Sequence, residues 1–316
     1  MSAIEVIHVL HAHRRSFARA IATLAIERRI VLLETPDELA ACIGEVEVLL
    51  ASHPPQGSWA RAQRLRLLHL AGVGAESLLP APDLHPAVRI AGARDLFADE
   101  AAEHVIATML ALLRGLPTLV DRQRRGEWLR HEVERASGKI IGILGLGAIG
   151  GRVARVARAL GMRVLATRRR PAPHEHADEV WPPSRTRDVL AHADVVVVTL
   201  PSTPQTRGLI DPDALACCRR GALLVDVARG GIVDEDALVR ALLDGHLAGA
   251  ALDVFEHEPL DAASPLWRVP NLLVTPHLAG YGRDYVARLL VRVLANVDRL
   301  ERGEPLLGEV DRDAGY

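Results

Sequence analysis

Three polar residues of different kinds close three apolar runs in the second half of the chain. Arg229 ends LLVDVAR, Asp253 and Glu258 follow in ALDVFEHEP, and His277 ends LLVTPH. An arginine fork can hold a carboxylate through two parallel hydrogen bonds. A histidine can pass a proton to or from an oxygen whose carbon gains or loses hydride. A carboxylate beside such an imidazole favours its protonated form, which carbonyl reduction needs. Together the three residue types describe redox chemistry at a carbon next to a carboxylate. That chemistry needs a hydride carrier.

The segment GLGAIG, residues 145–150, supplies the expected carrier site. It follows the strand pattern KIIGIL and precedes the helix pattern RVARVARAL. In that context Gly145 permits a tight turn, Gly147 lets backbone approach a pyrophosphate, and Gly150 lets helix and strand pack closely. Ala148 and Ile149 then offer amides at a helix N-terminus, where an anion is favoured. A site selective for NAD places an acidic residue at the end of the next strand. Here Arg168, Arg169 and Arg170 stand there. Guanidinium groups suit a 2′-phosphate, so the expected cofactor is NADP, with NAD as the alternative. One compositional fact weighs against over-reading them: Lys139 is the only lysine among 38 basic residues, so arginine is the default cation of this chain.

The elements that must position these residues follow a βα rhythm. In the first hundred residues, strands are expected at 5–10, 29–33, 46–51, 67–71 and 88–91. Helices are expected from a Ser16 cap to Glu27, and over 36–43 with Thr35 as N-cap and Pro36 at the first helical position. Residues 99–114 read as a helix apolar nearly all round, hence deeply buried. From Lys139 a second series begins. Its strands are expected at 140–144, 163–166, 194–199, 222–226, 248–254 and 272–275, and its helices at 147–160, 185–191, 212–218 and 235–244. A last helix over 281–302 comes after the second series closes, which suggests that it crosses back to the first. The expectation is an α/β fold of two doubly wound parallel-sheet domains, with 1–97 and 284–316 forming one discontinuous domain and 98–283 the other. A cleft between two such domains is a favoured ligand site.

Bulk properties exclude several classes. The net charge is −2, so no global basic field invites nucleic acid or an anionic membrane surface. No apolar run is long enough to span a bilayer, and the N-terminus carries no secretory pattern. Three cysteines without a CxxC pair suit a reducing cytoplasm. HAH at 11–13 and HEH at 174–176 invite a metal reading, but neither has an evident third ligand, so no metal is expected. His104 reads as a satisfied helix residue rather than a base. The basic run RQRRGEW, 122–128, reads as a solvated face, with Trp128 at a contact between copies.

GILGLGAIG, LPSTPQTRGLI, VDVARGGIVDEDAL, LDVFEHEP and TPHLAG, in that order, resemble the signatures of the D-isomer-specific 2-hydroxyacid dehydrogenase family. The resemblance spans residues 67–282 and implies a Rossmann cofactor domain inserted into a flavodoxin-like substrate domain, paired as a homodimer through the cofactor domains. It implies that Arg229, Glu258 and His277 are the catalytic residues, Arg229 also binding substrate. LAGVGAESL matches the family's carboxylate loop, placing Val73 and Gly74 at the substrate, with Glu76 where the family usually has Asp. Asp253 matches the residue that bonds the nicotinamide amide. Leu200, Pro201 and Thr206 match the segment lining the adenine and ribose side. Val227, Ala228, His277 and Gly280 complete the implied cofactor contacts. The implied substrate is a small 2-keto or 2-hydroxy acid, with glyoxylate or hydroxypyruvate leading. The alternatives are a phosphoglycerate dehydrogenase-type enzyme, disfavoured by a chain that ends at residue 316, and a cofactor-sensing regulatory binding protein of the same fold. Formate oxidation is disfavoured because Glu258 is a carboxylate where that activity carries an amide.

Overall fold

The computed structural model describes residues 3–55, 57, 59–76 and 78–312; Ser77 of the expected carboxylate loop lies outside them. The chain divides into two compact units, Met1–Phe97 with Gly282–Tyr316, and Ala98–Tyr281.

The first unit opens with β1 (Val6–Leu10), α1 (Arg14–Thr23), β2 (Arg29–Leu33), α2 (Pro36–Cys42), β3 (Val48–Ala51), β4 (Leu67–Leu70) and β5 (Arg89–Ala91). Its sheet runs β2-β1-β3-β4-β5, the flavodoxin-like order. β3 and β4 are buried at every position, as a strand covered on both faces must be. The Thr35 cap forms as expected, its side chain accepting from the Glu38 amide. The first helix departs from expectation. It starts after His13 without a side-chain cap and stops at Thr23 rather than Glu27. Its buried face is Phe17 and Ala20, while Leu24 and Ile26 pack against the same core from extended backbone, so no apolar face is left for a further helical turn.

The second unit continues with α3 (Ala98–Leu113), α4 (Leu116–Arg125), β6 (Ile140–Leu144), α5 (Ala148–Ala159), β7 (Arg163–Thr167), β8 (Glu179–Trp181), α6 (Thr186–His192), β9 (Val195–Val198), α7 (Pro212–Cys217), β10 (Ala222–Asp226), α8 (Glu235–Leu243), β11 (Leu247–Leu252) and β12 (Leu272–Val274). Its seven strands run β12-β11-β10-β9-β6-β7-β8, the Rossmann order with one further strand, and every ladder is parallel. α4 and β8 were not expected from sequence. α4 buries none of its residues and ends in Arg122, Arg124 and Arg125, cations that suit a helix C-terminus, so its short apolar stripe of Leu116, Leu119 and Val120 is a weak signal beside the charge that follows. β8 is a three-residue edge strand, too short for a periodic signal. The chain then returns to the first unit with α9 (Tyr285–Glu301), whose Leu289, Leu290, Val293 and Val297 are buried in that unit's core. Among the described residues, no single helix is long and apolar enough to cross a membrane.

Candidate active site

The register of the second sheet sets the site. Thr167, Leu144, Val198, Asp226, Leu252 and Val274 pair side by side, so six strands end on one line. Every candidate residue of this unit leaves the sheet at or just beyond that line, on the carboxyl edge where open α/β sheets bind ligands.

The phosphate loop follows β6. Gly145 has φ +102°, and a Cβ there would lie 2.9 Å from the Thr199 carbonyl oxygen. A Cβ on Gly150 would lie 2.3 Å from the Gly145 oxygen, so helix and turn are in backbone contact. A Cβ on Gly147, by contrast, would meet nothing within 4 Å. The Gly145 and Leu146 amides donate to the Thr167 carbonyl, and the Gly147 amide to that of Gly145. The amides of α5's first turn, at Ala148 and Ile149, have no preceding helical carbonyl to bond. Open space in front of free amides at the start of a twelve-residue helix fits a dinucleotide pyrophosphate. Where β7 ends, Arg168, Arg169 and Arg170 are all exposed, and among the described residues Arg168 and Arg170 make no ion pair. Leu200 and Pro201 are half-buried beyond β9; the Thr206 hydroxyl donates to the Pro201 carbonyl at 2.7 Å and closes that loop on itself.

The acid–base pair forms between the loops after β11 and β12. His277 Nδ1 lies 2.7 Å from Glu258 Oε2, with the histidine side chain 46% exposed. Among the described residues, Nε2 has no partner. Glu258 is held by its own loop: Oε1 accepts from the Phe255 amide at 3.0 Å. The next amide, of Glu256, donates to Glu235 Oε1 at 2.6 Å, tying the loop to the start of α8. Gly230 lets the turn after Arg229 lie against this loop, since a Cβ there would fall 1.9 Å from the Phe255 oxygen. Arg229 is half-buried and donates to the Ala228 carbonyl at 2.7 Å. Val227 and Ala228 are buried at the end of β10, and Gly280 is half-buried beyond β12. The structure therefore brings together the loops of Arg229, Glu258 and His277. It places Asp253 differently from a simple ligand contact: its carboxylate, 1% exposed, accepts from the Thr275 hydroxyl and from the amides of Leu278 and Ala279.

Sequence reasoning passed over Asp226. It closes β10, is fully buried, and accepts from the Ala228 amide at 2.9 Å, shaping the turn that presents Arg229. Burial, with the nearby charges of Asp253 and Glu235 adding, pushes its carboxyl up to about 7. The signal was a carboxylate inside an apolar strand. Among the described residues no group of three potential ligands could hold a metal. In both His-x-His segments the first ring instead accepts the backbone amide of the second histidine. Burial pushes the Cys218 thiol up to about 12, which leaves it inert.

In the first unit, Val73 and Gly74 follow β4, and Val73 is 37% exposed. Among the described residues, neither amide has an acceptor.

Comparison with known proteins places the chain. The family model described as D-isomer specific 2-hydroxyacid dehydrogenase, NAD binding domain, matches residues 106–279, more than half of the chain. The chain belongs to the D-isomer specific 2-hydroxyacid dehydrogenase family. It is therefore an NAD(P)-dependent oxidoreductase acting on a CH–OH group. A glycerate dehydrogenase of Methylorubrum extorquens is 30% identical over 286 residues, 86% of this chain and 88% of that one. A D-3-phosphoglycerate dehydrogenase of Mycobacterium tuberculosis is 37% identical over 247 residues, 77% of this chain but 47% of that one. Among solved structures, the NADPH-dependent glyoxylate/hydroxypyruvate reductase of Sinorhizobium meliloti, in complex with NADP and sulfate, aligns with a TM-score of 0.90 at 28% identity, covering 99% of this chain and 100% of that one. A family member from Xanthobacter autotrophicus Py2 in complex with NADPH and MES gives 0.85 at 33%, covering 99% and 100%.

Proposed function

We propose that this enzyme reduces a small 2-keto acid of the glyoxylate or hydroxypyruvate type to the D-2-hydroxy acid, with NADPH as its preferred donor. The observation that carries the reading is the 2.7 Å contact between His277 Nδ1 and Glu258, which leaves Nε2 of a half-exposed ring without a partner. With Nδ1–H directed to the carboxylate, Nε2–H is the proton that can leave. When bound, the dinucleotide supplies the hydride that reduces the keto carbon. His277 delivers its proton to the carbonyl oxygen as negative charge grows there. Glu258 keeps the ring oriented and compensates its positive charge. Arg229 holds the substrate carboxylate, and the same reading assigns the Val73 and Gly74 amides to that carboxylate. The glycine loop with Ala148 and Ile149 holds the pyrophosphate; Leu200, Pro201, Thr206, Val227, Ala228, Asp253 and Gly280 surround the rest of the dinucleotide.

NADPH is favoured by the exposed Arg168, Arg169 and Arg170 where an acidic residue would repel a 2′-phosphate. Two of the similar solved structures, named above, hold NADP or NADPH. A homodimer through the cofactor unit is favoured by Trp128, 92% exposed, and by the exposed Leu116, Val120 and Leu129 of the same stretch of chain. The free Cys42, Cys217 and Cys218 suit the reducing cytoplasm.

One kinetic matrix tests the reading: NADPH and NADH, each against glyoxylate, hydroxypyruvate, pyruvate, a branched 2-keto acid and phenylpyruvate, with 3-phosphoglycerate and NAD(P)+ in the reverse direction. The expected outcome is the highest kcat/KM with NADPH and one of the first two acids. Arg168→Asp should lower kcat/KM for NADPH by about tenfold or more while raising that for NADH. Activity on 3-phosphoglycerate alone would replace the substrate assignment. NADPH binding with no turnover on any acid would replace it with a cofactor-sensing role.

A further inference from the structure

Behind the His277 loop lie two side chains that the proposed reaction does not use. His104 sits on α3 with its ring 15% exposed, and Thr275 immediately follows β12. His104 Nε2 lies 3.1 Å from Thr275 Oγ1. The Thr275 hydroxyl donates to Asp253 Oδ1 at 2.6 Å. A hydroxyl has one proton to give, so toward His104 it accepts, and the ring carries its hydrogen on Nε2. The chain of bonds therefore has one direction, from His104 to Thr275 to Asp253.

Asp253 is where this chain reaches His277. Its Oδ1 also accepts from the Leu278 amide at 2.9 Å, and its Oδ2 from the Ala279 amide at 2.8 Å. Its backbone carbonyl accepts from the His277 amide at 2.8 Å. One buried residue thus grips His277 itself and the two residues after it. The grip has a job, because His277 has φ +49°, in the left-handed region. A residue with a Cβ stays there only when its surroundings over-determine the backbone. The far end of the chain is rigid: the next residue on α3, Val105, and Met109 one turn on are both fully buried. α3 itself packs against α5 and β10, the elements that carry the phosphate loop and the Arg229 turn.

We propose that His104 and Thr275, acting through Asp253, are positioning residues that hold His277 in its left-handed turn and so aim Nε2 for proton transfer. The assignment rests on the reading of His277 as proton donor. It gives the TPH segment two working residues rather than one, and it makes the helix that carries His104 part of the proton-transfer machinery. In this assignment His104 acts only through Thr275 and Asp253. Among the described residues, the charged residues bonded to His277 are Glu258, from the loop after β11, at its ring, and Asp253 at its backbone amide.

Thr275→Val removes the hydroxyl at nearly constant volume, and Thr275→Ser keeps it. His104→Leu removes the ring donor, and His104→Gln restores a donor at the same end of the chain. With glyoxylate and NADPH, Thr275→Val should lower kcat about tenfold with KM for NADPH within about twofold, and should displace the acidic limb of the pH–kcat profile. Thr275→Ser and His104→Gln should recover most of the rate that Thr275→Val and His104→Leu lose. In the cofactor-free protein, the NMR signals of the His277 ring nitrogens should move in Thr275→Val. The proposal is overturned if Thr275→Val, shown folded by circular dichroism, keeps the parental kcat, pH profile and His277 ring signals. It is equally overturned if His104→Gln is as impaired as His104→Leu, and that pair decides if Thr275→Val does not fold. Full turnover in His277→Ala would instead remove the underlying reading, so the two failures are separable.

Discussion

Two turns leave the same edge of the second sheet in left-handed backbone, and they are built in opposite ways. At the phosphate loop the left-handed residue is Gly145, φ +102°. Glycine adopts that conformation at little cost, and the loop is shaped by what side chains are absent. At the acid–base loop the left-handed residue is His277, φ +49°. Its Cβ disfavours that conformation, and the loop is shaped by hydrogen bonds to Asp253 from Thr275, Leu278 and Ala279. A site that binds an anion through amides needs backbone brought close, which small residues allow. A site that delivers a proton needs one imidazole aimed, which costs strain and calls for outside support.

The comparison can be broken in order of expected effect. His277→Ala should lower kcat by about a thousandfold, the scale of a lost general acid, while leaving NADPH affinity within about twofold, as fluorescence titration would show. A parallel loss of NADPH binding would mean that the two loops are not separable. Gly150→Ala should do the reverse. Its Cβ would fall 2.3 Å from the Gly145 oxygen, so NADPH affinity should drop by more than about tenfold, with about 1–3 kcal/mol of stability lost to overpacking. Unaltered affinity and thermal midpoint would show that the helix and turn can part without harm.

Asp226 offers a third cut through the edge, midway between the two loops. Its carboxyl is raised from 3.8 to about 7, so the folded state binds that proton more tightly than the unfolded chain. The associated stability is fully present below about pH 3.8 and is lost as pH rises through about 7. Asp226→Asn keeps an acceptor for the Ala228 amide and removes the titration. Its unfolding free energy, measured by urea denaturation, should therefore gain on the parent's by an amount on the order of a few kcal/mol between pH 4 and 8. A constant difference across that range would show that Asp226 does not titrate there. The smallest and sharpest test compares His277→Gly with His277→Ala. Neither can transfer a proton, but only glycine suits φ +49°, so the glycine variant should be more stable by about 1 kcal/mol in urea. Equal stability would mean that His277 carries no backbone strain.

Much of this arrangement was readable before any coordinate. The apolar runs of parallel strands are continuous because both faces are buried, so 140–144 and 222–226 were read to the residue, as β6 and β10. The Thr35 cap and Pro36 start were readable because capping is a local matter. α4 and β8 were not, for the first buries nothing and the second has only three residues. At the site, Arg229, Glu258 and His277 stood out as polar residues at the ends of apolar runs. Asp226 escaped because it lies inside such a run, and His104 because its partner Thr275 is 171 positions away.

By itself, then, the sequence determined what depends on neighbours in the chain: the strand–glycine–helix unit, the residue types at the strand ends, and the run of arginines that stands where a ribose carboxylate would. These follow from backbone freedom, periodicity and charge, which act over a few residues. The tertiary structure decided what depends on register. Parallel pairing aligned Leu144, Val198, Asp226, Leu252 and Val274 on one line, and so brought loops from distant parts of the chain to one edge. It buried Asp226 until its proton was hard to remove, and set Asp253 where it could hold His277 in a conformation that no local preference favours. Burial and strain of this kind are properties of the packed fold, because each needs partners that only long-range pairing supplies.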